Sequence, residues 1–403
     1  MSESIGSAGR RIRLPWSDVV VTLFAFILAF LLGAVLMVVS DPEIAPKWSY
    51  FFSRPSDALG ASWDKVSQAY SALVGGALGG IGPITSTLAR SAPLICAGLG
   101  IGLAFRAGLF NIGAQGQAVV GAMISALVGF SIKGLPLAVH LPLAVLAGVA
   151  AGAAWGGIAG ALKARAGAHE VITTIMLNYI ALGMLGWALT TTLFQRPGRA
   201  DPISPIVEWS ATFPRIEGTQ LHMGFVLALL AAFGVWWLME RTKLGFQIRA
   251  VGSNPSASAT AGMSVSTITA TTMAISGGLA GLAGVQVALG AISGATPTPL
   301  TAGLVGSIGF DAITVALLGR SRPLGTVLAG LLFGAMNTGG LKMQSAAQTP
   351  PDLIMVLQAL IVLFVGAPML VRTLVPFLKA RRAGKAPTTQ AVAPVASQGG
   401  LAS

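Results

Sequence analysis

Residues Phe105 to Gln117 read FRAGLFNIGAQGQ and place Arg106, Asn111, Gln115 and Gln117 between two apolar stretches long enough to cross a bilayer. Amide side chains both donate and accept hydrogen bonds, so this run suits contact with an uncharged polar solute. In hydrocarbon, each unsatisfied polar group costs several kcal/mol. Polar, non-helical backbone therefore persists at membrane depth only inside protein or along a watery cavity. The run is either a helix-packing seam or the wall of a path. Gly108, Gly113 and Gly116, interleaved with the amides, favour the path.

Three further segments carry polar groups in unusual places. In Glu170–Ala181, Glu170, Thr174 and Asn178 share one helical face and serve either as interhelical glue or as path lining. Glu170, following Lys163 and Arg165, also suits a helix N-terminus. In Ser293–Gly325, Pro297 and Pro299 break a helix, and Gly303, Gly306 and Gly309 loosen the chain beyond the break. Asp311 is the only acid predicted within the apolar part of a span there. It is either a path residue or a structural partner of Arg320 or a helix end. The polar stretch Glu240–Ser266 holds Lys243, Gly245, Arg249, Gly252, Asn254 and Pro255. Asn254-Pro255 predicts the start of a short helix ending near Gly262, set in a solvated linker or a docking element.

Composition determines the scaffold that holds these residues. The 403 residues are 54% hydrophobic and 9% charged, against about 25% charged for a soluble domain. Apolar runs of bilayer length recur, which predicts an all-α polytopic bundle and excludes an ordinary soluble enzyme. Ten spans are expected, at Val19–Val39 and at roughly 84–105, 109–130, 137–162, 170–194, 222–239, 267–290, 308–319, 323–340 and 352–371. Residues 1–18 form a basic cytoplasmic segment, 19–371 the transmembrane domain, and 372–403 a basic tail of disordered composition. Residues 41–82 are more polar, and Trp48, Tyr50, Trp63 and Tyr70 suit a membrane–water interface.

The net charge of +12 reflects topology rather than a nucleic-acid partner. Arg10, Arg11, Lys163, Arg241, Arg320 and Arg382 fall in segments on one side of the spans, and Asp57, Asp201 and Glu217 on the other. By the positive-inside rule both termini are cytoplasmic. Gly156/Gly160 and Gly277/Gly281 are small-residue pairs that predict packing seams. No phosphate-binding loop, zinc-protease motif or nucleophile elbow is present in the sequence. Cys96 is the single cysteine and His140, His169 and His222 are isolated, so neither a metal nor a cofactor is expected.

Three segments in order carry a resemblance: LAFRAGLFNIGAQGQ (Leu103–Gln117), EVITTIMLNYIA (Glu170–Ala181) and ERTKLGFQIRAVGSNPSASATAGM (Glu240–Met263). They resemble the permease subunits of bacterial ABC importers for nucleosides, within a wider family serving simple sugars and branched-chain amino acids. The resemblance covers about Tyr70 to Val371. In the family an acid is common before the Gly-Gln pair, where Gln115 stands here. The resemblance implies a non-enzymatic inner-membrane subunit with an inverted repeat. It implies ATP-binding partner subunits, a second permease copy or paralogue, and an extracytoplasmic solute-binding protein. It assigns Glu240–Ser266 to coupling with the ATPase. Nucleosides are the expected solutes, and Phe105 and Phe110 could stack on a base. A sugar or amino-acid permease is the near alternative, and a stand-alone channel or secondary carrier the distant one.

Overall fold

Without water, a chain in hydrocarbon must satisfy its backbone groups within itself, and the apolar runs here do so as helices. The computed structural model describes residues 16–290 and 297–374. The expected N-terminal segment up to residue 15 and the tail from 375 onward lie outside the described residues.

The first described helices are α1 (Trp16–Ser40) and α2 (Pro55–Leu78). Next come α3 (Ile81–Arg106), α4 (Ala114–Ser131), α5 (Leu137–Ala166) and α6 (Glu170–Ala188). A single helix, α7 (Gly224–Arg241), leads to the short α8 (Lys243–Ser253) and α9 (Pro255–Thr260). The remainder is α10 (Val265–Leu289), α11 (Ile308–Leu318), α12 (Pro323–Ala347), α13 (Pro351–Gly366) and α14 (Pro368–Leu374).

Eight of these helices have the length and apolarity to cross a bilayer: α1, α3 to α7, α10 and α12. The remaining two expected spans are shorter apolar helices, α11 and α13. Proline bounds α13 at Pro351 and Pro368, and α11 starts late because the chain before it stays non-helical through Gly303 and Gly306. The polar stretch 41–82 contains an unexpected 24-residue helix, α2. Its buried face is Ala58, Ala69, Ala72, Leu73, Gly76 and Ala77, too small in side chain to read as an apolar stripe. Lys65 of α2 pairs with Asp41 at 2.7 Å, fixing α2 to the end of α1.

The centre is built on α3 and α10. In each, 83% of the apolar window is buried, against 22% in α5, so the first two are enclosed and α5 also faces outward. They run antiparallel, with Cys96 beside Gln286 and Gly100 against Ser276 and Leu279. On the other side of α10, Gly148, Gly152, Gly156 and Gly160 of α5 meet the backbone of Gly281, Gly277, Met273 and Ala270. The small-residue pairs are thus a seam whose dispersion contacts depend on the missing side chains.

Gly281→Leu should collapse this seam, since its Cβ would lie 2.9 Å from both the Gly148 carbonyl oxygen and the Gly152 Cα. We expect a loss of about 3 kcal/mol, read as a lowered Tm in detergent. Gly183→Leu on the exposed face of α6, with no atom within 4 Å of the new Cβ, should leave the Tm unchanged.

Candidate functional site

The span expected at 109–130 is not one continuous helix. α3 ends at Arg106, Gly108 takes the left-handed φ of +72°, and α4 begins only at Ala114. Asn111 accounts for the delay. Its Oδ1 accepts the Gly113 N–H at 2.9 Å, a local turn that competes with helix. The same happens after α10, where residues 297–307 precede the 11-residue α11. There Ser307 Oγ donates to Asp311 Oδ2 at 3.0 Å. Asp311 therefore bonds the helix end rather than Arg320.

The two late-starting helices begin against each other. Gln115 is the second residue of α4 and Gly309 the second of α11, and any Cβ at Gly309 would overlap the Gln115 backbone nitrogen. Gln115 spans the junction with both ends of its amide. Its Oε1 accepts the Gly309 N–H at 2.8 Å, and its Nε2 donates to the Gly306 carbonyl at 2.7 Å. A break after α3 facing a break after the antiparallel α10 has the form of an inverted repeat.

The other amides close the same junction. Asn178 of α6 accepts the Gly116 N–H at 2.8 Å and donates to the Ile112 carbonyl at 3.0 Å. Asn111 Nδ2 donates to Ser276 Oγ of α10 at 2.8 Å and to Gln117 Oε1 at 3.1 Å. Gln117 Nε2 returns a bond to Asn111 Oδ1 at 3.2 Å. Asn111, Gln115, Gln117 and Asn178 are thus brought together, all buried; Asn111, Gln115 and Asn178 hold backbone groups at the helix starts, and Gln117 braces Asn111. Phe105 and Phe110 stack across the break with ring centroids 5.0 Å apart, and Phe110 is 42% exposed. Asp311 is half-buried one turn into α11. Both helix starts present positive dipole ends at the junction, and Asp311 sits in the first turn of α11.

The stretch after α7 forms two helices rather than one. Thr242 caps α8 by accepting the Gly245 N–H at 3.0 Å, and Gly245 lies against the Leu238 and Met239 backbone. Asn254 caps α9 by accepting the Ala257 N–H at 3.0 Å, with Pro255 as its first residue and Gly262 in the left-handed region beyond. Gly252, at the end of α8, sits so close to Arg106 that an added Cβ would overlap its carbonyl oxygen. Beside α8 opens a groove of about 500 Å³ lined by Glu240, Arg241, Lys243, Phe246, Arg249 and Met263, among others. Arg249 Nη1 is buried at its edge without a hydrogen-bond partner among the described residues.

Residues 84–366 match the family model of the branched-chain amino acid transport system permease component. The chain belongs to this permease family. It is 38% identical over 374 residues to the guanosine ABC transporter permease protein NupP of Bacillus subtilis, covering 91% of this chain and 98% of that one. It is 33% identical over 377 residues to the nucleoside ABC transporter permease protein NupB of Lactococcus lactis, covering 91% and 96%. A glucose ABC transporter permease protein of Haloferax volcanii is 34% identical over 292 residues, covering 70% and 75%. No solved structure matches.

Ser276, Gly306 and Gly309 of this permease complete the junction, and the sequence alone did not point to them as path residues. One signal was available. Asn111-Ile112-Gly113-Ala114-Gln115 and Ser307-Ile308-Gly309-Phe310-Asp311 share a polar–Ile–Gly start and a polar fifth residue, one set in each half. Thr242 was readable as a cap before Lys243, while the open Nη1 of Arg249 has no sequence signature.

Gln115→Leu leaves the Gly309 N–H and the Gly306 carbonyl without partners. Each buried orphan costs about 1–3 kcal/mol, so we expect the α4–α11 junction to loosen and the Tm to fall. Gln115→Glu keeps the acceptor for Gly309 and should lose less. An equal loss in both variants would mean that the amide does not tie the two helices.

Proposed function

We propose that this permease is the membrane subunit of an ATP-driven importer for nucleosides, with a solute path past the paired starts of α4 and α11. The observation that carries the reading is end-to-end similarity to permeases named for guanosine and nucleosides, at 38% and 33% identity. The junction suits such a solute. Phe110 offers an aromatic face for a base, Gln115 and Asn178 hold two helix starts whose dipoles attract base and ribose oxygens, and Asp311 stands one turn deeper into α11. Asn111 and Gln117 frame this wall, and Phe105 backs Phe110.

In this reading both termini and the α8–α9 segment are cytoplasmic, in line with the positive-inside bias. ATP hydrolysis belongs to separate ATP-binding subunits, a second permease copy or paralogue completes the membrane part, and an extracytoplasmic binding protein delivers the solute. Lys243, Gly245, Arg249, Gly252, Asn254 and Pro255 form the coupling element. Residues 253–257 of it are exposed and stand ready for a partner, and Arg249 has a guanidinium nitrogen still to be satisfied. A sugar permease is the second reading, favoured by the glucose permease relative at 34% identity.

Three measurements test this. Uptake by the complete importer should be competed by nucleosides and not by glucose or ribose; competition by sugars alone would transfer the assignment to the second reading. Reporter fusions after Arg215 and after Arg249 should report opposite sides of the membrane. Arg249→Glu should abolish ATP-dependent uptake with the permease inserted in normal amount, whereas unchanged uptake would remove α8 from coupling. A change at Gly252 would instead act through the fold, because any side chain there strikes Arg106.

A further inference from the structure

Arg90 is a cation in the interior of the central helix. It lies sixteen residues before Arg106 and nine after Ile81, about 24 Å and 13 Å along α3. No hydrogen bond or ion pair holds its guanidinium among the described residues, and Asp311 bonds Ser307 instead. An intramembrane cation is costly unless it faces protein or a watery cavity, and it marks a functional position by default.

The packing of α3 shows which way Arg90 faces. α12 docks on Thr87, Ser91 and Ile95 through Gly334 and Gly330, and α10 docks on Cys96 and Gly100. Arg90, Ala97 and Ile101 share a face between those two stripes. Towards Arg106 that face is closed, with Ala97 and Ile101 fully buried. At Arg90 and Ser86 it is only half-buried. Gly98 meets Val315, and Gly102 meets Ser321, so α11 runs parallel to α3 and begins just short of the level of Arg90. Arg90 therefore stands level with the start of α11, on the neighbouring face of α3. Asp311, in the first turn of α11, is bonded to Ser307, and a guanidinium without a partner among the described residues at this half-open place calls for an electron-rich partner.

We propose that Arg90 is the base-reading residue of the path and that it favours 6-oxopurine nucleosides; this rests on the nucleoside reading above. The planar guanidinium forms two parallel N–H bonds, and the O6 and N7 acceptors of a 6-oxopurine match that fork. Neither a pyrimidine nor adenine presents this pair of adjacent acceptors. A lysine would keep the charge but lose the fork.

The test compares uptake by the complete importer carrying wild-type permease, Arg90→Lys or Arg90→Gln, normalised to inserted permease. Guanosine and inosine uptake should fall about tenfold or more in both variants, while uridine and adenosine change less than about twofold. In the wild type, 7-deazaguanosine, which lacks N7, should enter several-fold more slowly than guanosine, and Arg90→Gln should treat the two alike. Equal loss for every nucleoside, or loss of inserted protein alone, would make Arg90 a structural anchor and overturn the proposal. Full activity of Arg90→Lys on guanosine would also overturn it, since charge without the fork would then suffice. A wild-type importer that takes up no nucleoside at all would instead defeat the functional reading on which the proposal rests.

Discussion

Two helices of this permease begin inside the protein core, and their open backbone N–H groups must be bonded there. That requirement governs the centre of the molecule. A helix start leaves four N–H donors without intrahelical partners, and inside a membrane no bulk water replaces them. Asn111, Asn178 and Gln115 supply acceptors to Gly113, Gly116 and Gly309. Each such bond adds only about 1 kcal/mol net, but leaving the donor bare costs about as much again or more, so the amides are needed even where they gain little. Neutral amides do this without burying a charge and also donate, as Gln115 does to Gly306 and Asn178 to Ile112.

The amides can reach only because the backbones approach closely. Gly116 lets Asn178 in, Gly309 lets α11 touch α4, and the α5–α10 glycines draw α10 inward so that Ser276 meets Asn111. Small residues are thus not merely tolerated in these helices. They set distances that the hydrogen bonds then use, and a methyl group at Gly281 or Gly309 would displace a whole element.

Much of this was legible in the sequence. Apolar runs gave the spans, because bilayer thickness imposes length, and Asn254-Pro255 gave the start of α9, because capping is local chemistry. The position of the break at Ala114 was partly legible, since glycine and amides marked the run but not its first helical residue. α2 escaped because its buried face is mostly alanine and glycine, and α8 because four of its eleven residues are polar or charged and it lies against α3 instead of crossing the membrane. The partners of the amides escaped for a different reason. Gln115 bonds residues nearly 200 positions away, and Asn111 bonds Ser276, contacts that no local pattern encodes. Arg90 was hidden by its setting, the one cation in the interior of α3, whose surroundings depend on helices distant in sequence.

The exposed α8–α9 segment and the helix junction are physically continuous. Gly252 at the end of α8 rests on the Arg106 carbonyl, and Gly108 lies against the Gly252 backbone. Arg106 Nε donates to the Ser321 carbonyl in the turn after α11 at 3.2 Å, so the same residue touches both halves of the repeat. That turn holds Arg320 and Ser321 at φ values of 53° and 51°, a left-handed conformation that costs non-glycine residues about 1–3 kcal/mol each. From Gly108 the chain reaches Asn111 within three residues, and Asn111 is bonded into the junction. Close packing leaves little slack along this chain of contacts, and in the coupling reading proposed above a displacement of α8 would reach both breaks through Arg106. In that reading, the contacts that fix the helix starts are the ones that a partner acting on α8 would rearrange.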